Sequence, residues 1–367
     1  SLLSLALGLA NVEGFEVALF ATSQPNASSI EVFECEDVVE AARIADKHGF
    51  ESLVLNFNHS ESQMKLLQCY VGELKLFVWA QNSPNFEWSN AAYNSPAFCR
   101  LVAVSNIQRR ALAAYPIYRQ SVTIHNSINL DDWQIRKCDN QANLFVYIGA
   151  LKKSKGFHHL ADAWPKIRAE IPDAKLTVFG SPGLYGATSR LGSEGVAEHD
   201  YEERILNPLG GSLQSASSMG VSFRGSVDKH ELMEALSASM CGVVNPNHTK
   251  EESAETFCVS AVEVMAMGVP VIGGKLGGLL EVIGVDGCLV SSSGELAEAA
   301  VEISRGDPRV MLRAKSARDK VRCYFDHEIS LKRWSQLLIN PDSYVNPKLG
   351  KELQPRFYWF KLCVGRW

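Results

Sequence analysis

A helix that passes directly into a buried strand is the sequence feature that most restricts the fold of this chain. Residues Val259–Met267 are helix formers with an apolar face, Gly268 ends that helix, and Pro270–Ile272 begins a short apolar strand. Strand and helix patterns also alternate through the rest of the chain, which predicts parallel, doubly wound sheets covered by helices. We therefore expect an α/β fold with ligands bound at the carboxyl ends of the strands.

The start of this helix is a candidate anion site. The first N–H groups of a helix lack backbone partners, and together with the helix dipole they favour negative charge. Two carboxylates lie beside them, Glu255 before the helix and Glu263 within it. Because a bound phosphate would repel both carboxylates, we expect them to accept hydrogen bonds from hydroxyl groups next to the phosphate. Phosphate and hydroxyl groups together describe a nucleotide sugar. The other residues expected to contact it there are Thr256, Phe257, Cys258 and Val259.

Three motifs occur in order between Glu255 and Ile283: E-T-F, A-V-E-V-M-A-M-G-V-P-V-I and G-G-L-L-E-V-I. In this order they resemble the donor-site signature of the retaining GT-B glycosyltransferases of family four, the glycosyl transferases group 1. The resemblance implies two doubly wound Rossmann-like domains that face a cleft, with a C-terminal segment that crosses back to the first domain. It also implies that Glu255 holds the hydroxyl groups of the transferred sugar and that Glu263 holds the ribose.

A second part of the resemblance follows the apolar strand Leu144–Ile148, where residues 149–156 read G-A-L-K-K-S-K-G. In the family, a Gly-Arg pair and then a Lys-Gly pair follow this strand, and the Arg and Lys bind the leaving diphosphate. Gly149 matches the first Gly, and Lys155 with Gly156 matches the second pair. Ala150 occupies the position of the Arg, which is a departure from the family pattern.

Two further lysines lie close to the substituted position. Lys152 or Lys153 could replace the missing positive charge, although Lys is a point charge without the bidentate geometry of Arg. Otherwise both are ordinary solvated lysines, and the enzyme is slow or inactive. The segment Val221–Val227 resembles the family strand whose end contacts the nucleotide base through backbone groups, which implicates Val227. The long polar, Gly/Ser-rich segment Tyr185–Ser218 predicts a mobile surface insertion or a lid over the acceptor.

The acceptor side is expected in the first half of the chain. The loop Ala80–Asn85 follows a predicted strand, so it should lie at the mouth of the cleft. Gln81 and Asn82 could hydrogen-bond an acceptor or the transferred sugar; alternatively, the segment is a polar loop closed by Pro84. Trp88 either offers a stacking face to a sugar or caps the loop.

The polar segment Asp131–Gln141 fits a linker between two domains. We expect an acceptor-side Rossmann-like domain over 1–141, a nucleotide-sugar-binding Rossmann-like domain over 142–339, and a segment over 340–367 that returns to the first domain. Ser1–Ala10 predicts a buried helix, although its apolar sequence also resembles the core of a secretory signal. The family's first strand and Gly-rich turn have no counterpart here, either because the sequence begins after them or because the protein lacks them. The tail R-F-Y-W-F-K-L-C-V-G-R-W either packs against the first domain or makes a peripheral contact with a membrane surface.

Composition argues against several other classes of protein. The net charge is −5 and no Lys/Arg block is long, so a nucleic-acid partner is not expected. The nine Cys are scattered without a C-x-x-C pair, which indicates reduced thiols in a cytoplasmic setting rather than a disulfide framework or a structural zinc. No Asp-x-Asp motif occurs, so we expect no metal and no cofactor beside a UDP- or GDP-linked donor.

The reaction implied by the resemblance is transfer of a hexose from a nucleoside-diphosphate sugar to a hydroxyl acceptor with retention of configuration, as in polysaccharide biosynthesis. The acceptor could be a glycan, a lipid-linked compound or a small molecule. Lys155 and the helix N-terminus would stabilise the departing diphosphate without a metal, and Lys155 and Glu255 are the expected catalytic residues. One alternative is a nucleotide-sugar epimerase of the same fold, which needs a general base. Another is a catalytically degenerate sugar-nucleotide-binding subunit, which Ala150 permits.

Overall fold

The structure is a computed structural model that describes residues 2–22, 29–134, 143–182, 190–249 and 255–348. Internal contacts divide the chain into two compact units. The first unit runs to Asn126 and takes up the chain again over His327–Lys348, and the second unit is Ser127–Asp326. Both divisions lie earlier in the chain than the boundaries expected from the sequence, at 141/142 and 339/340. Most of the expected linker, over 135–141, lies outside the described residues.

The first unit is built on parallel strands. Its strands are β1 (Ala18–Ala21), β2 (Glu31–Glu34), β3 (Ser52–Asn56), β4 (Lys75–Ala80), β5 (Phe98–Ala103) and β6 (Ser121–Thr123). Strands β3 to β6 form one parallel sheet in that order, and β1 pairs with β2 in another parallel sheet. Its helices are α1 (Leu2–Leu9), α2 (Val38–Lys47), α3 (Glu61–Cys69), α4 (Phe86–Asn94), α5 (Asn106–Ala111) and α14 (His327–Ile339). Leu5, Ala6 and Leu9 are buried, so the predicted buried helix at the start of the sequence is confirmed.

Helix α14 returns the chain to the first unit. The ring of Trp334 packs edge-to-face against Trp79 of β4, with the ring centroids 5.4 Å apart. Beyond the helix, Arg100 forms an ion pair with Asp342 at 2.5 Å. These contacts confirm the predicted crossing back. The crossing begins at His327 rather than at 340, because the apolar face of the last helix is itself part of the first unit.

The second unit has a larger parallel sheet. Its strands are β7 (Leu144–Ile148), β8 (Lys175–Phe179), β9 (Val221–Gly225), β10 (Cys241–Val244), β11 (Val271–Gly274) and β12 (Cys288–Val290). The strand order is β12-β11-β10-β7-β8-β9. Every residue of β7 is buried, as its unbroken apolar sequence predicts for a strand covered on both faces.

Helices surround this sheet. They are α6 (Phe157–Glu170), α7 (His199–Leu206), α8 (Leu213–Ser218), α9 (Lys229–Ala238), α10 (Val259–Ala266), α11 (Leu279–Val282), α12 (Ser293–Ser304) and α13 (Pro308–Lys320). Short 3₁₀ helices cover Pro116–Gln120, Leu130–Asp132, Lys153–Lys155 and Asn207–Leu209, and a π-helical turn covers Val321–Phe325. The strand order of the second unit reverses between β10 and β7, as in a doubly wound sheet. Both units are Rossmann-like α/β halves with parallel sheets, so the predicted fold class is confirmed.

The segment 190–218 corrects one prediction. The sequence indicated a mobile insertion or lid over Tyr185–Ser218, but the described part contains α7, the 3₁₀ helix Asn207–Leu209 and α8. Tyr201, Ile205 and Leu209, spaced four residues apart, are buried in the core of the second unit. This apolar stripe packs the segment onto the domain. The Gly- and Ser-rich residues around it concealed the pattern. Residues 183–189 lie outside the described ranges.

Strand β2 and helix α4 were also absent from the prediction. Strand β2 is only four residues long and carries a glutamate at each end. Helix α4 begins after Asn85, whose Oδ1 accepts a hydrogen bond from the Trp88 N–H at 2.9 Å. Asn at this position is a helix N-cap, so the polar loop ends in a helix.

In the described ranges, no helix is both long enough and apolar enough to cross a membrane. The aromatic and basic tail lies outside those ranges, and its membrane contact stays a prediction.

Candidate active site

The predicted donor residues of the second unit follow the carboxyl ends of its parallel strands. Gly149 comes directly after β7, and Val227 lies two residues beyond the end of β9 at Gly225. The N–H of Gly149 donates to the Phe179 carbonyl of β8 at 3.0 Å, which fixes the first residue of the loop. These residues therefore lie at the sheet edge where α/β domains bind ligands.

The turn Lys153–Lys155 brings Lys155 beside the segment that follows β10. Gly156 has a left-handed φ of 69°, and a Cβ atom there would lie 2.4 Å from the backbone nitrogen of Asn247. Glycine alone permits so close an approach. Asn247 Nδ2 donates to the Ser154 carbonyl of the turn at 3.4 Å. The Tyr147 hydroxyl donates to the Lys155 carbonyl at 3.3 Å. The backbone of Lys155 is therefore supported from two directions.

Lys155 and Glu255 form an ion pair. Lys155 Nζ donates to Glu255 Oε2 at 2.5 Å, and the two side chains are 23% and 13% exposed. Asn245 Nδ2 donates to the same carboxylate oxygen at 2.9 Å. The Gly278 N–H donates to the Glu255 carbonyl at 2.6 Å. Both the side chain and the backbone of Glu255 are therefore held in place.

Helix α10 begins at Val259, and its N-cap residue, Cys258, forms no side-chain hydrogen bond with the first N–H groups. Phe257 is buried and packs edge-to-face against Phe325, with the ring centroids 5.5 Å apart. Burial, with the nearby Glu255 carboxylate, raises the pKa of the buried Cys258 thiol to about 12, so the thiol stays neutral. Because both side chains are buried, any contact of Phe257 or Cys258 with a ligand must come from the backbone. Thr256 is half-buried and Val259 is exposed.

Glu263 lies on α10 in a half-buried position. Burial raises the pKa of its carboxyl group to about 7, and the Lys229 ammonium opposes this effect. Among the described residues, no donor forms a hydrogen bond with this carboxylate. Lys229 instead pairs with Asp132 at 2.7 Å and lies over the Trp133 ring at 5.2 Å from its centroid. A hydroxyl group that donates a hydrogen bond to this carboxylate would stabilise its ionised form.

The position at which the family has Arg, occupied here by Ala150, is buried. Ala150 is 5% exposed, whereas Lys152 is half-buried and Lys153 is exposed. The compensating role expected for Lys152 or Lys153 stays a prediction.

The acceptor-side predictions fall in the first unit and have different outcomes. Gln81 and Asn126 exchange two side-chain hydrogen bonds, at 3.1 and 2.8 Å, and Asn82 is exposed.

Trp88 is 1% exposed, and its indole Nε1 donates to Gln63 Oε1 at 3.2 Å. The stacking face expected of Trp88 is therefore wrong, because the ring is part of the hydrophobic core.

Sequence reasoning overlooked Asn245 and Asn247. Both lie at the carboxyl end of β10, and Asn245 contacts the predicted sugar-binding carboxylate. The available signal was an Asn-Pro-Asn sequence directly after an apolar strand, where polar residues of α/β sheets contact ligands. Within the described ranges, no group of three His, Cys, Asp or Glu side chains could hold a metal ion.

Comparison with known proteins gives a family match over part of the chain. The family model described as "Glycosyl transferases group 1" matches residues 142–305. Among curated proteins, the D-inositol 3-phosphate glycosyltransferase of Mycolicibacterium vanbaalenii is 26% identical over 180 residues, which cover 48% of this chain and 36% of that protein. The match thus spans about a third of the length of that relative.

Solved structures share the fold over most of the chain. A glycosyltransferase from Rickettsia africae has a TM-score of 0.73 at 14% identity, and the match covers 91% of this chain and 93% of that chain. The Anabaena protein HepE, solved in complex with UDP-glucose, has a TM-score of 0.67 at 16% identity, and the match covers 92% of this chain and 95% of that chain.

The chain therefore has the GT-B fold of these solved glycosyltransferases. The segment 142–305, which contains Lys155, Glu255 and Glu263, is the part of the chain that matches the glycosyl transferases group 1. The resemblance of the sequence motifs to the glycosyl transferases group 1 is confirmed, whereas family four and retention of configuration stay predictions.

Proposed function

We propose that this protein is a retaining glycosyltransferase of family four that moves a hexose from a nucleoside-diphosphate sugar, UDP- or GDP-linked, to a hydroxyl acceptor. The observation that carries the proposal is the contact between Lys155 and Glu255 beside the N-terminus of α10. A cation, a carboxylate and uncapped helix N–H groups together match a ligand that has both a diphosphate and sugar hydroxyl groups. HepE, which shares the fold, binds UDP-glucose.

Lys155 stabilises the leaving group in this mechanism. Breakage of the bond between sugar and phosphate increases the negative charge on the nucleoside diphosphate. Positive groups that are already in place stabilise this charge in the transition state. Lys155 is so placed by the turn that ends at Gly156, and the first N–H groups of α10 add to it. Gly149 and Val227 line the same sheet edge through their backbones. A metal ion is not required for this step.

Glu255 binds the transferred sugar. Its Oε2 receives the two hydrogen bonds from Lys155 and Asn245, while Oε1 accepts none from the described residues. Oε1 can therefore accept from a sugar hydroxyl group. Because the ring gains positive charge as the bond breaks, this carboxylate interacts more strongly with the transition state than with the ground state.

Glu263 binds the ribose. A ribose hydroxyl group that donates to the half-buried carboxylate replaces water lost on burial, and it favours the ionised form that burial disfavours. The ribose does not change during the reaction, so this contact contributes to binding rather than to the chemical step.

The proposal is tested by following nucleotide release from UDP- and GDP-hexoses, with glycan, lipid-linked and small hydroxyl acceptors, in the presence of EDTA. We expect release of the nucleoside diphosphate only when an acceptor is present, and a product whose anomeric configuration, read from proton NMR couplings, equals that of the donor. Isomerised donor would indicate an epimerase instead. A thermal shift with nucleotide sugars but no turnover would indicate a binding subunit. Activity lost in EDTA and restored by Mn²⁺ would contradict metal independence.

A further inference from the structure

We infer that Asn245 is a positioning residue that holds the Glu255 carboxylate in place while Lys155 turns to the diphosphate of the donor. The inference rests on the proposed function. Neither the motifs nor the comparisons assign a role to Asn245. The inference explains how Glu255 keeps its orientation when Lys155 leaves it to contact the diphosphate.

Both hydrogen-bond donors contact the same oxygen of the Glu255 carboxylate. Lys155 Nζ and Asn245 Nδ2 lie 2.5 and 2.9 Å from Glu255 Oε2. A diphosphate carries more negative charge than a carboxylate, so it competes for the Lys155 ammonium. When Lys155 contacts the diphosphate, Glu255 loses one of these two partners. Within the described residues, Asn245 is then the remaining hydrogen-bond donor to this carboxylate.

A neutral amide suits this role better than a second cation. Because it carries no net charge, the diphosphate does not attract it away from Glu255. The Asn245 side chain can therefore keep the carboxylate oriented through the exchange. Its own position is fixed by the sheet, since the Gly274 N–H donates to the Asn245 carbonyl at 3.0 Å.

The environment of the Asn245 amide shows that the carboxylate sets its orientation. Asn245 is 5% exposed, and its Oδ1 is buried without a hydrogen bond from the described residues. A flipped amide would point this oxygen at the Glu255 carboxylate, which repels it. Burial of an acceptor without a partner is unfavourable, and such groups in folded proteins need a specific reason. The hydrogen bond to Glu255 supplies one.

The backbone at this position is also unusual. Asn245 has a φ of 35° and precedes Pro246. Left-handed backbone is unfavourable for most residues other than glycine, and asparagine tolerates it better than others. Strained backbone of this kind often occurs at functional sites. In the described ranges, the other non-glycine residue with positive φ is Asn143, whose Nδ2 donates to Asp173 on the surface.

Two substitutions distinguish the contribution of the Asn245 side-chain amide from that of its left-handed backbone. Asn245→Gly keeps the left-handed conformation and removes the amide. Asn245→Asp keeps the size of the side chain and places a second carboxylate beside Glu255. Asn143→Gly is the matched control, because it replaces an asparagine with positive φ outside the site. We expect kcat for donor turnover to fall about tenfold or more in Asn245→Gly, as for loss of a hydrogen bond to a charged group, and further in Asn245→Asp.

Affinity for the free nucleoside diphosphate distinguishes positioning from loss of structure. Calorimetry should give a Kd for Asn245→Gly within about twofold of the wild-type value, because the diphosphate contacts Lys155 and the helix N-terminus rather than Asn245. The Asn143→Gly control should match the wild type in both kcat and Kd. A kcat for both Asn245 variants equal to that of the wild type would overturn the inference, and so would a loss of diphosphate affinity as large as the loss of kcat.

A double-mutant cycle provides the sharper test. If Asn245 acts through Glu255, Asn245→Gly in the Glu255→Gln background should be no slower than Glu255→Gln alone. Additive losses would mean that Asn245 acts independently, which contradicts the inference. Should Asn245→Gly not fold, Asn245→Asp is placed in the same cycle. A wild-type protein that releases no nucleotide from any donor would refute the proposed function itself. A wild-type protein that turns over, with unaffected Asn245 variants, would refute this inference alone.

Discussion

The ammonium of Lys155 and the carboxylate of Glu255 lie 2.5 Å apart, although 100 residues separate them in sequence. Each group neutralises the charge of the other, at the edge of the sheet where the nucleotide-sugar donor is expected to bind. A nucleoside diphosphate that binds there exchanges a carboxylate for a phosphate as the partner of Lys155. The two residues are therefore coupled, and their variants should affect binding and turnover in different ways.

Lys155→Ala should lower kcat about a hundredfold or more, because one preorganised contact to the developing charge is lost, worth roughly 3 kcal/mol. Affinity for the donor should fall much less. The control is Lys166→Ala, which removes an exposed lysine whose partner is Glu298 at 3.4 Å. Steady-state kinetics of nucleotide release measures both effects. An unchanged rate in Lys155→Ala would show that the leaving group is stabilised elsewhere, with Lys152 or Lys153 the nearest lysines in sequence.

Glu255→Gln should lower kcat while leaving affinity for the free nucleoside diphosphate at least as high as in the wild type. The reason is that the diphosphate no longer has to displace a carboxylate from Lys155. Isothermal titration calorimetry with the diphosphate tests this without an acceptor. Glu298→Gln, which neutralises the acid of the exposed pair, should change neither quantity. Diphosphate binding weakened tenfold in Glu255→Gln would contradict the coupling.

Glu263→Gln should weaken binding of the nucleoside diphosphate and raise the donor KM with little change in kcat. It should also change how stability depends on pH. Burial raises the Glu263 pKa from 4.5 to about 7, so between these values the folded protein binds more protons than the unfolded chain. Stability of the wild type therefore falls as pH rises through this window, by up to about 3 kcal/mol.

The Gln side chain does not ionise, so Glu263→Gln should lose this pH dependence and have a higher Tm than the wild type at pH 8. Thermal unfolding between pH 5 and pH 8 is the measurement. Glu170→Gln, at an exposed position on α6, is the control and should keep the wild-type profile. Identical profiles for Glu263→Gln and the wild type would show that burial of this carboxylate has no such effect.

Trp88→Ala should destabilise the first unit by about 3–5 kcal/mol, the usual effect of removing a buried aromatic ring. Trp88→Phe should keep most of the stability and should not change the KM for the acceptor, because the ring contacts no ligand surface. Phe86→Ala is the control, since Phe86 is 58% exposed on the same helix. Denaturant unfolding and acceptor kinetics test both statements. A raised acceptor KM in a stable Trp88→Phe variant would restore the original stacking hypothesis.

Local patterns made much of the fold predictable. The apolar run Leu144–Ile148 and the helix–strand unit around Gly268 were identified correctly because their periodicity and stop signals are strong. The segment 190–218 was misinterpreted because its many Gly and Ser residues indicated a loop. The apolar residues at every fourth position, Tyr201, Ile205 and Leu209, were therefore overlooked. Helix α4 was missed because its start depends on a single side chain, Asn85, that caps it.

The motifs singled out Lys155 and Glu255, and the structure brings these two side chains into contact. The site was not predictable where residues act through conformation. The role of Asn245 depends on a left-handed φ of 35° and on a carboxylate ten positions away. Burial of Trp88 depends on neighbours from other strands and helices, including Phe57 and Phe98. Neither can be inferred from the spacing of residues along the chain.

The return of α14 to the first unit affects the order in which the protein can be built during synthesis. The first unit needs His327–Lys348, so Trp79 has no Trp334 beside it until the ribosome has translated the whole second unit. The domain that is encoded first is therefore the last to be completed. A nascent chain stalled before residue 327 would carry the second unit, Ser127–Asp326, joined to a first unit that still lacks α14.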